Sequence, residues 1–182
     1  MFSIKQSTIK DCLELIPKIF HDERGLFVKV FHSGSFKSLG LEDVFKEDYY
    51  SKSLKGVIRG LHFQLPPQEH AKIVYCVSGS VFDVVIDLRV GSPTFGQCDT
   101  FNLNSNDANM IYIPKGLAHG FCSLSESSTL IYKTSTVYYP EFDSGILWNS
   151  VPIDWPVKKP VISDRDSSFK PFSDFVSPFK YG

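Results

Sequence analysis

The spacing of the turn signals constrains this chain most. Gly, Pro, Ser and Asn recur every few residues, and the runs between them are short and rich in Val, Ile, Phe and Tyr. Such runs bury a face as strands, whereas an amphipathic helix needs apolar residues at i, i+3, i+4 and i+7 over a longer window. The predicted strand runs are LFVKVFH (26–32), VIRGLHF (57–63), AKIVYCVSGSVFDVVIDLR (71–89), GQCDTFNL (96–103), NMIYIP (109–114), HGFCSL (119–124) and STLIYKTSTVYY (128–139). Ser78-Gly79 splits the longest into two strands at a tight turn. Helical character is confined to a turn over 35–41. The series predicts an all-β sandwich or barrel with short peripheral helices. No internal repeat or low-complexity linker breaks it.

The length of 182 residues suits a single domain over 1–182. An N-terminal strand region over about 1–45 precedes the main series, and a tail over about 154–182, rich in Pro, Ser, Phe and Lys, is expected to lie irregularly outside the barrel. A formal net charge of −1 with 42% hydrophobic residues argues against a nucleic-acid partner and against disorder. No apolar run approaches the roughly 18 residues of a membrane span, and the opening MFSIKQSTIKDCLEL is too broken by charge for a signal peptide. Cys12, Cys76, Cys98 and Cys122 have neither CxxC pairing nor metal spacing. Reduced thiols in a cytoplasmic protein without a membrane partner are the expectation.

Parity along the strands raises three questions. After Val81, the residues Phe82, Val84, Ile86 and Leu88 share one face, while Asp83, Val85 and Asp87 share the other. Those acids belong either to a pocket or interface wall or to a solvated outer face. Arg59 and His62 have opposite parity and reach one pocket only if the strand is broken, for which Gly60 offers a bulge. Tyr132 and Tyr138 would lie about 20 Å apart on a straight strand, at roughly 3.3 Å per residue, so they share a small ligand only if the chain bends.

The stretch Gly56–Lys72 holds the densest chemistry: Arg59 for an anion, His62 for proton transfer and Lys72 for a developing enolate oxygen. A neutral imidazole exchanges protons near neutral pH and needs an acidic partner on its other nitrogen, for which Asp164 and Asp166 are candidates. Tyr132 offers a phenolic proton, and Tyr138 can stack or donate. Each also has a structural reading, as a core histidine, a surface cation or a buried tyrosine. Pro114-Lys115-Gly116-Leu117-Ala118-His119 resembles the second half of the cupin signature, the double-stranded β-helix. The first half in metal-binding cupins carries two His separated by one residue. Here that stretch reads Leu61-His62-Phe63-Gln64, and His21, His32 and His70 lack the spacing to complete a set, so no metal site is expected.

Asp22-Glu23-Arg24-Gly25, GVIRGLHFQ, AKIV, VFDVVIDLRVGSPTFGQ, IPKGLAHGF, YKTSTVYYPE and ISDRD occur in order and cover most of residues 20–166. In these blocks the chain resembles the dTDP-4-dehydrorhamnose 3,5-epimerase family, metal-independent cupins acting on 4-keto nucleotide sugars. The resemblance implies a cupin (jelly-roll) barrel that uses no cofactor. It also implies a catalytic set of His62 as base, paired with Asp166, Tyr132 as acid on the other sugar face, and Lys72 at the C4 enolate. Arg24, Phe27, Lys29, Glu47, Arg59, His119, Tyr138, Asp143 and Arg165 fall at substrate-contacting positions. Arg24 and Phe27 lie on a strand that in this family reaches into a second subunit, which implies a homodimer.

Three positions depart from the family pattern. Lys29 stands where Glu is usual, Glu47-Asp48-Tyr49 where Gln-Asp-Asn is usual, and Asp143 where Glu is usual. Thymine presents an N3–H donor that a lysine cannot accept, so Lys29 points toward cytosine or guanine unless thymine is read by another group. The regiochemistry, at C3, C5 or both, stays open. So do three alternatives: a 3,4-ketoisomerase, a non-catalytic nucleotide-sugar-binding cupin and a metal-dependent cupin enzyme.

Overall fold

The computed structural model describes residues 1–182. The chain forms β1 (Phe2–Gln6), β2 (Leu13–Pro17), β3 (Ile19–Asp22), β4 (Gly25–Val28), α1 (Ser33–Ser38), β5 (Glu47–Leu54) and β6 (Ile58–Gln64). It continues through β7 (Lys72–Ser78), β8 (Ser80–Asp87), β9 (Cys98–Asn104), β10 (Met110–Ile113), β11 (Leu117–Ser123), β12 (Ser127–Thr134), β13 (Asp143–Gly145) and α2 (Asp164–Ser167). Two sheets face each other, a six-stranded one in the order β1-β2-β10-β7-β12-β5 and a five-stranded one in the order β13-β6-β11-β8-β9. Every ladder in them is antiparallel. This is the all-β jelly-roll architecture expected.

Strand alternation sorts side chains into three apolar layers. Between the sheets lie Val74, Cys76, Val81, Val85, Ile111, Ile113, Phe121 and Leu130. The outer face of the five-stranded sheet (Leu61, Phe63, Val84, Ile86, Ala118) is covered by Ile146, Val151 and Phe179 from the C-terminal third. The outer face of the six-stranded sheet (Leu15, Ile73, Tyr75, Met110, Tyr112) is covered around Phe36 of α1. Phe36 is fully buried, with the rings of Phe2 and Phe31 at 5.6 and 5.0 Å. Truncating such a phenylalanine costs about 3–5 kcal/mol.

Several sequence expectations change in detail. The run over 26–32 is strand only as far as Val28. His32 then caps α1, its Nδ1 accepting from the Ser35 N–H at 3.2 Å, so the helix starts ahead of the predicted turn. Ser78-Gly79 does turn the chain, but into the opposite sheet, because β7 and β8 belong to different sheets. Gly79 is required there: its φ is +77°, and a Cβ would meet the Ser127 carbonyl at 2.5 Å. The tail is largely irregular yet tied to the barrel by single bridges at Val57–Val161 and Val90–Lys180.

The solvated-face reading of Asp83 and Asp87 is overturned, since both are fully buried. Asp87 accepts from Arg89 Nε (2.9 Å), Arg89 Nη2 (2.8 Å), Ser92 Oγ (2.6 Å) and Thr94 Oγ1 (2.7 Å). The LRVGSPTFGQ segment is thus a loop wound round one carboxylate, and it serves the fold. Burial raises the Asp87 carboxyl, but these donors outweigh it and hold the group below its usual value.

Candidate active site

A cavity of about 370 Å³ opens between the sheets, within the range of small-molecule sites. The five-stranded sheet contributes Arg59, His62 and Gln64 from β6, His119 from β11 and Asp143 from β13; the six-stranded sheet contributes Glu47, Tyr49 and Ser51 from β5, Lys72 from β7 and Tyr132 from β12. His70, Tyr138 and Arg165 complete the rim and floor.

Arg59 and His62 reach this cavity together because β6 is bulged. In the β6–β11 ladder His119 opposes His62 but Phe121 opposes Arg59, so one extra residue sits in β6. Gly60 has φ +138°, and a Cβ on it would lie 2.6 Å from Gly120 Cα. Only glycine lets the two backbones touch there. The Gly60 N–H donates to Asp166 Oδ2 at 3.0 Å. The bend that lets Tyr132 and Tyr138 share the cavity follows β12. The Tyr138 N–H donates to Glu47 Oε2 (2.6 Å) and the Tyr139 N–H to Gln64 Oε1 (2.7 Å).

His62 Nε2 lies 2.8 Å from Asp166 Oδ1. Of the two aspartates the sequence offered, Asp164 is exposed, and Asp166 is aimed inward by α2, whose N-cap Ser163 accepts from the Asp166 N–H. Burial lowers the imidazole below its ordinary value against the upward pull of Asp166, and Lys72 and Arg165 add to the fall. Burial raises Asp166, but the hydrogen bond and charge of His62, the Gly60 N–H and Arg165 outweigh it, and the group stays below the usual carboxylate range. An ionised Asp166 beside a neutral His62 follows. The carboxylate accepts from Nε2–H, so Nδ1 carries the lone pair.

Burial brings the Lys72 ammonium down to about 8, against the attraction of Asp143 and Asp83 and with help from Arg165. Burial drives the Tyr132 phenol far above its ordinary value; the Ser51 hydroxyl, at 3.0 Å, only partly offsets this, and Tyr49 and Asp83 add to it. Tyr132 is therefore held as the neutral phenol at ordinary pH. His119 Nε2 lies 2.9 Å from Asp83 Oδ2 inside the barrel wall. At the mouth, the Tyr138 hydroxyl donates to Asp143 Oδ2 at 3.3 Å, and Asp143 pairs with Arg165. Arg59 Nε donates to Ser53 Oγ at 3.0 Å.

Arg24, Phe27 and Lys29 do not join this cavity. Arg24 and Phe27 lie on the separate β3–β4 hairpin and Lys29 just beyond it, all three exposed. Ser51 and His70 line the cavity without a site role assigned from sequence, and Tyr49 entered only as part of the Glu47-Asp48-Tyr49 departure from the family pattern. The local pattern around Tyr49 and Ser51 is the odd-numbered polar alternation of Glu47, Tyr49, Ser51 and Ser53, which gives no hydrophobic pattern to detect. Burial lowers His70 to about 2, assisted by Lys72 and Lys115.

Fold and site together define a jelly-roll barrel whose cavity sets a histidine on one sheet, paired with an aspartate from α2, against a tyrosine and a lysine on the other, the class of site that moves protons on a small polar ligand. A sequence model of the dTDP-4-dehydrorhamnose 3,5-epimerase family matches residues 6–174. The chain is 43% identical over 175 residues to the Shigella flexneri dTDP-4-dehydrorhamnose 3,5-epimerase, covering 94% of this chain and 97% of that protein. The Legionella pneumophila dTDP-6-deoxy-D-glucose-3,5-epimerase, solved with dTDP-4-keto-L-rhamnose, superposes with a TM-score of 0.95 at 37% identity over 100% of both chains. A 3'-monoepimerase from Streptomyces bikiniensis, solved with dTDP-quinovose, gives a TM-score of 0.85 at 31% identity over 91% of this chain and 86% of that one. The chain belongs to the dTDP-4-dehydrorhamnose 3,5-epimerase family and is an isomerase, an epimerase of nucleotide sugars.

Proposed function

We propose that the protein inverts both C3 and C5 of a dTDP-linked 4-keto-6-deoxyhexose by proton removal and return through a C4 enolate. The observation that carries this reading is the pairing of His62, on the five-stranded sheet, with Asp166 of α2 while Tyr132 and Lys72 face the same cavity from the six-stranded sheet. The C4 carbonyl acidifies the neighbouring C–H bonds. His62 Nδ1 takes a proton, the C–H electron pair moves into the ring, and the enolate oxygen gains charge beside the Lys72 ammonium. The Tyr132 phenol then gives its proton to the opposite face of that carbon, leaving the centre inverted, His62 protonated and Tyr132 as phenolate. Exchange with solvent restores both. Tyr132 is what supports inversion over simple exchange, and the likeness to 3,5-epimerases at 43% and 36% identity supports action at both centres.

Arg59, His119, Glu47, Tyr138, Asp143 and Arg165 are assigned to the sugar and diphosphate; the cationic ones suit phosphate oxygens. The exposed aromatic face of the β3–β4 hairpin supports a homodimer in which Arg24 and Phe27 reach the nucleotide in the second subunit's cavity. Lys29 rides beside that hairpin, so its effect on base choice would also be exerted across the dimer. No helix is long and apolar enough to cross a membrane, and the family and the free thiols support a cytoplasmic setting.

The test is proton NMR in D₂O with dTDP-, CDP- and GDP-linked 4-keto-6-deoxyhexoses, wild type beside His62→Ala. Deuterium at C3 and C5 with the dTDP sugar, lost in the variant, is the expected result. Exchange at C3 alone would make the protein a monoepimerase, and preference for the CDP or GDP sugar would overturn the thymidine assignment. Tight binding without any exchange would point to a binding protein. Sedimentation of wild type beside Phe27→Ala tests the dimer.

A further inference from the structure

Tyr49 and Tyr132 are direct cross-strand partners of β5 and β12. Their rings stack at a centroid distance of 4.8 Å and an interplanar angle of 13°. Tyr132 is held on two further sides, with Ser51 Oγ at 3.0 Å from its hydroxyl and the His119 ring edge-on at 6.2 Å. Only Tyr49 stands between the flat face of Tyr132 and the open edge of the sheet. β5 is the terminal strand there, and Tyr49 is 42% exposed while Tyr132 is 7% exposed. No hydrogen bond is formed by the Tyr49 side chain, so its ring is the part in use.

We infer that Tyr49 is a positioning residue for stereochemical inversion: by stacking on Tyr132 it fixes the phenol against the far face of the sugar and keeps water off it. The inference rests on the epimerase reading above. A stacked cross-strand aromatic pair restrains the orientation of both rings. Proton return is sensitive to ångström-scale misplacement of the donor. His62 lies on the opposite sheet and is untouched by Tyr49, so proton removal does not depend on the stack. Without it, the enolate is expected to be reprotonated more often from the face on which it was formed, which gives exchange without inversion.

Deuterium wash-in and net inversion are followed by NMR in D₂O for wild type, Tyr49→Phe, Tyr49→Leu and Tyr49→Ala, with dTDP affinity measured by calorimetry. Tyr49→Phe keeps the ring, and wild-type exchange and inversion are expected. Tyr49→Leu and Tyr49→Ala should lose about tenfold or more in inversion, with wash-in within about threefold and dTDP affinity unchanged. A wild-type ratio of inversion to wash-in in the Leu and Ala variants overturns the inference. So does a Phe variant that falls as far as Ala, because the hydroxyl would then be in the chemistry. If Tyr49→Ala does not fold, Tyr49→Leu against Tyr49→Phe decides. Wild type showing neither wash-in nor inversion sinks the proposed function instead.

Discussion

Two histidine–aspartate pairs lie in this barrel with nearly the same hydrogen bond, 2.8 Å for His62–Asp166 and 2.9 Å for His119–Asp83, yet their electrostatics are opposite. Asp166 receives His62 on one oxygen and the Gly60 N–H on the other, with Arg165 nearby, and is held below the usual carboxylate range. Asp83 is fully buried, its Oδ1 has no partner, and burial raises it despite His119, Lys72 and the Val84 N–H. The His62 side chain is 25% exposed to the cavity and the His119 side chain only 4%. One pair is furnished to hold a negative charge beside the proposed base, and the other is a wall element that tolerates neutralisation. A histidine–carboxylate contact alone therefore does not identify a base; the donors around the carboxylate do.

The largest expected break of this comparison is His62→Ala, which should cut kcat by about 10²–10⁴-fold while thermal unfolding stays near wild type. An equal loss in His119→Ala with unchanged nucleotide affinity would reverse the assignment. Next is Lys72→Met, expected to cost about 10²–10³-fold in kcat, the scale of one lost oxyanion donor. In wild type the kcat/KM profile should fall on the alkaline side near the Lys72 value of about 8, and Lys72→Arg should move that limb upward. The acid limb, set by His62, should lie below the ordinary imidazole value of 6.5.

Asp166→Asn comes third, at about 10²-fold. With its oxygen kept by the Gly60 N–H, the amide turns its NH₂ toward His62 Nε2 and favours the tautomer that cannot accept the substrate proton. Because Asp166 raises His62, the acid limb of any residual activity should move to lower pH. The smallest effect is on stability. Asp166 is depressed, so its contribution is present above its unfolded value and is lost as pH falls through the folded one; Asp83 is raised, so its ionisation opposes folding as pH rises through its folded value. At pH 7 Asp83→Asn should leave Tm unchanged or slightly higher and Asp166→Asn should lower it, both by calorimetry. A large Tm loss in Asp83→Asn alone would show that the wall pair is ionised and structural.

The sequence exposed the elements whose inner face is apolar and concealed those whose inner face is polar. β6 to β12 were legible within a few residues, because Val, Ile and Phe alternate there or run continuously. β5 was not, since Glu47, Tyr49 and Ser51 line the cavity, Ser53 accepts from Arg59, and the outward positions include Tyr50 and Leu54, at 74% and 68% exposure. β1 and β2 were expected only as part of an N-terminal strand region and not delimited, for a related reason: charged residues such as Lys5 and Glu14 pair with each other across the ladder, 3.0 Å apart, and mask the alternation. Of the cavity, His62, His119, Lys72 and Tyr132 could be named from local motifs, whereas the choice of Asp166 over Asp164 came from the family resemblance. The Gly60 bulge was also legible, because parity demanded a break and glycine marked where. The stacked tyrosine and the buried state of Asp83 were not, since both depend on which strand lies alongside.

The bulge at Gly60 also makes one contact of the site immune to most mutation. An extra residue in a strand leaves a main-chain N–H outside the ladder, and here that orphan is the donor to Asp166. A side-chain partner could be lost by any of several substitutions, but an amide hydrogen disappears only with proline. Gly60 cannot be replaced without driving its strand off Gly120. The ionised partner of His62 is thus secured by backbone geometry, and drift in the surrounding side chains can reshape the cavity while leaving the proposed base paired.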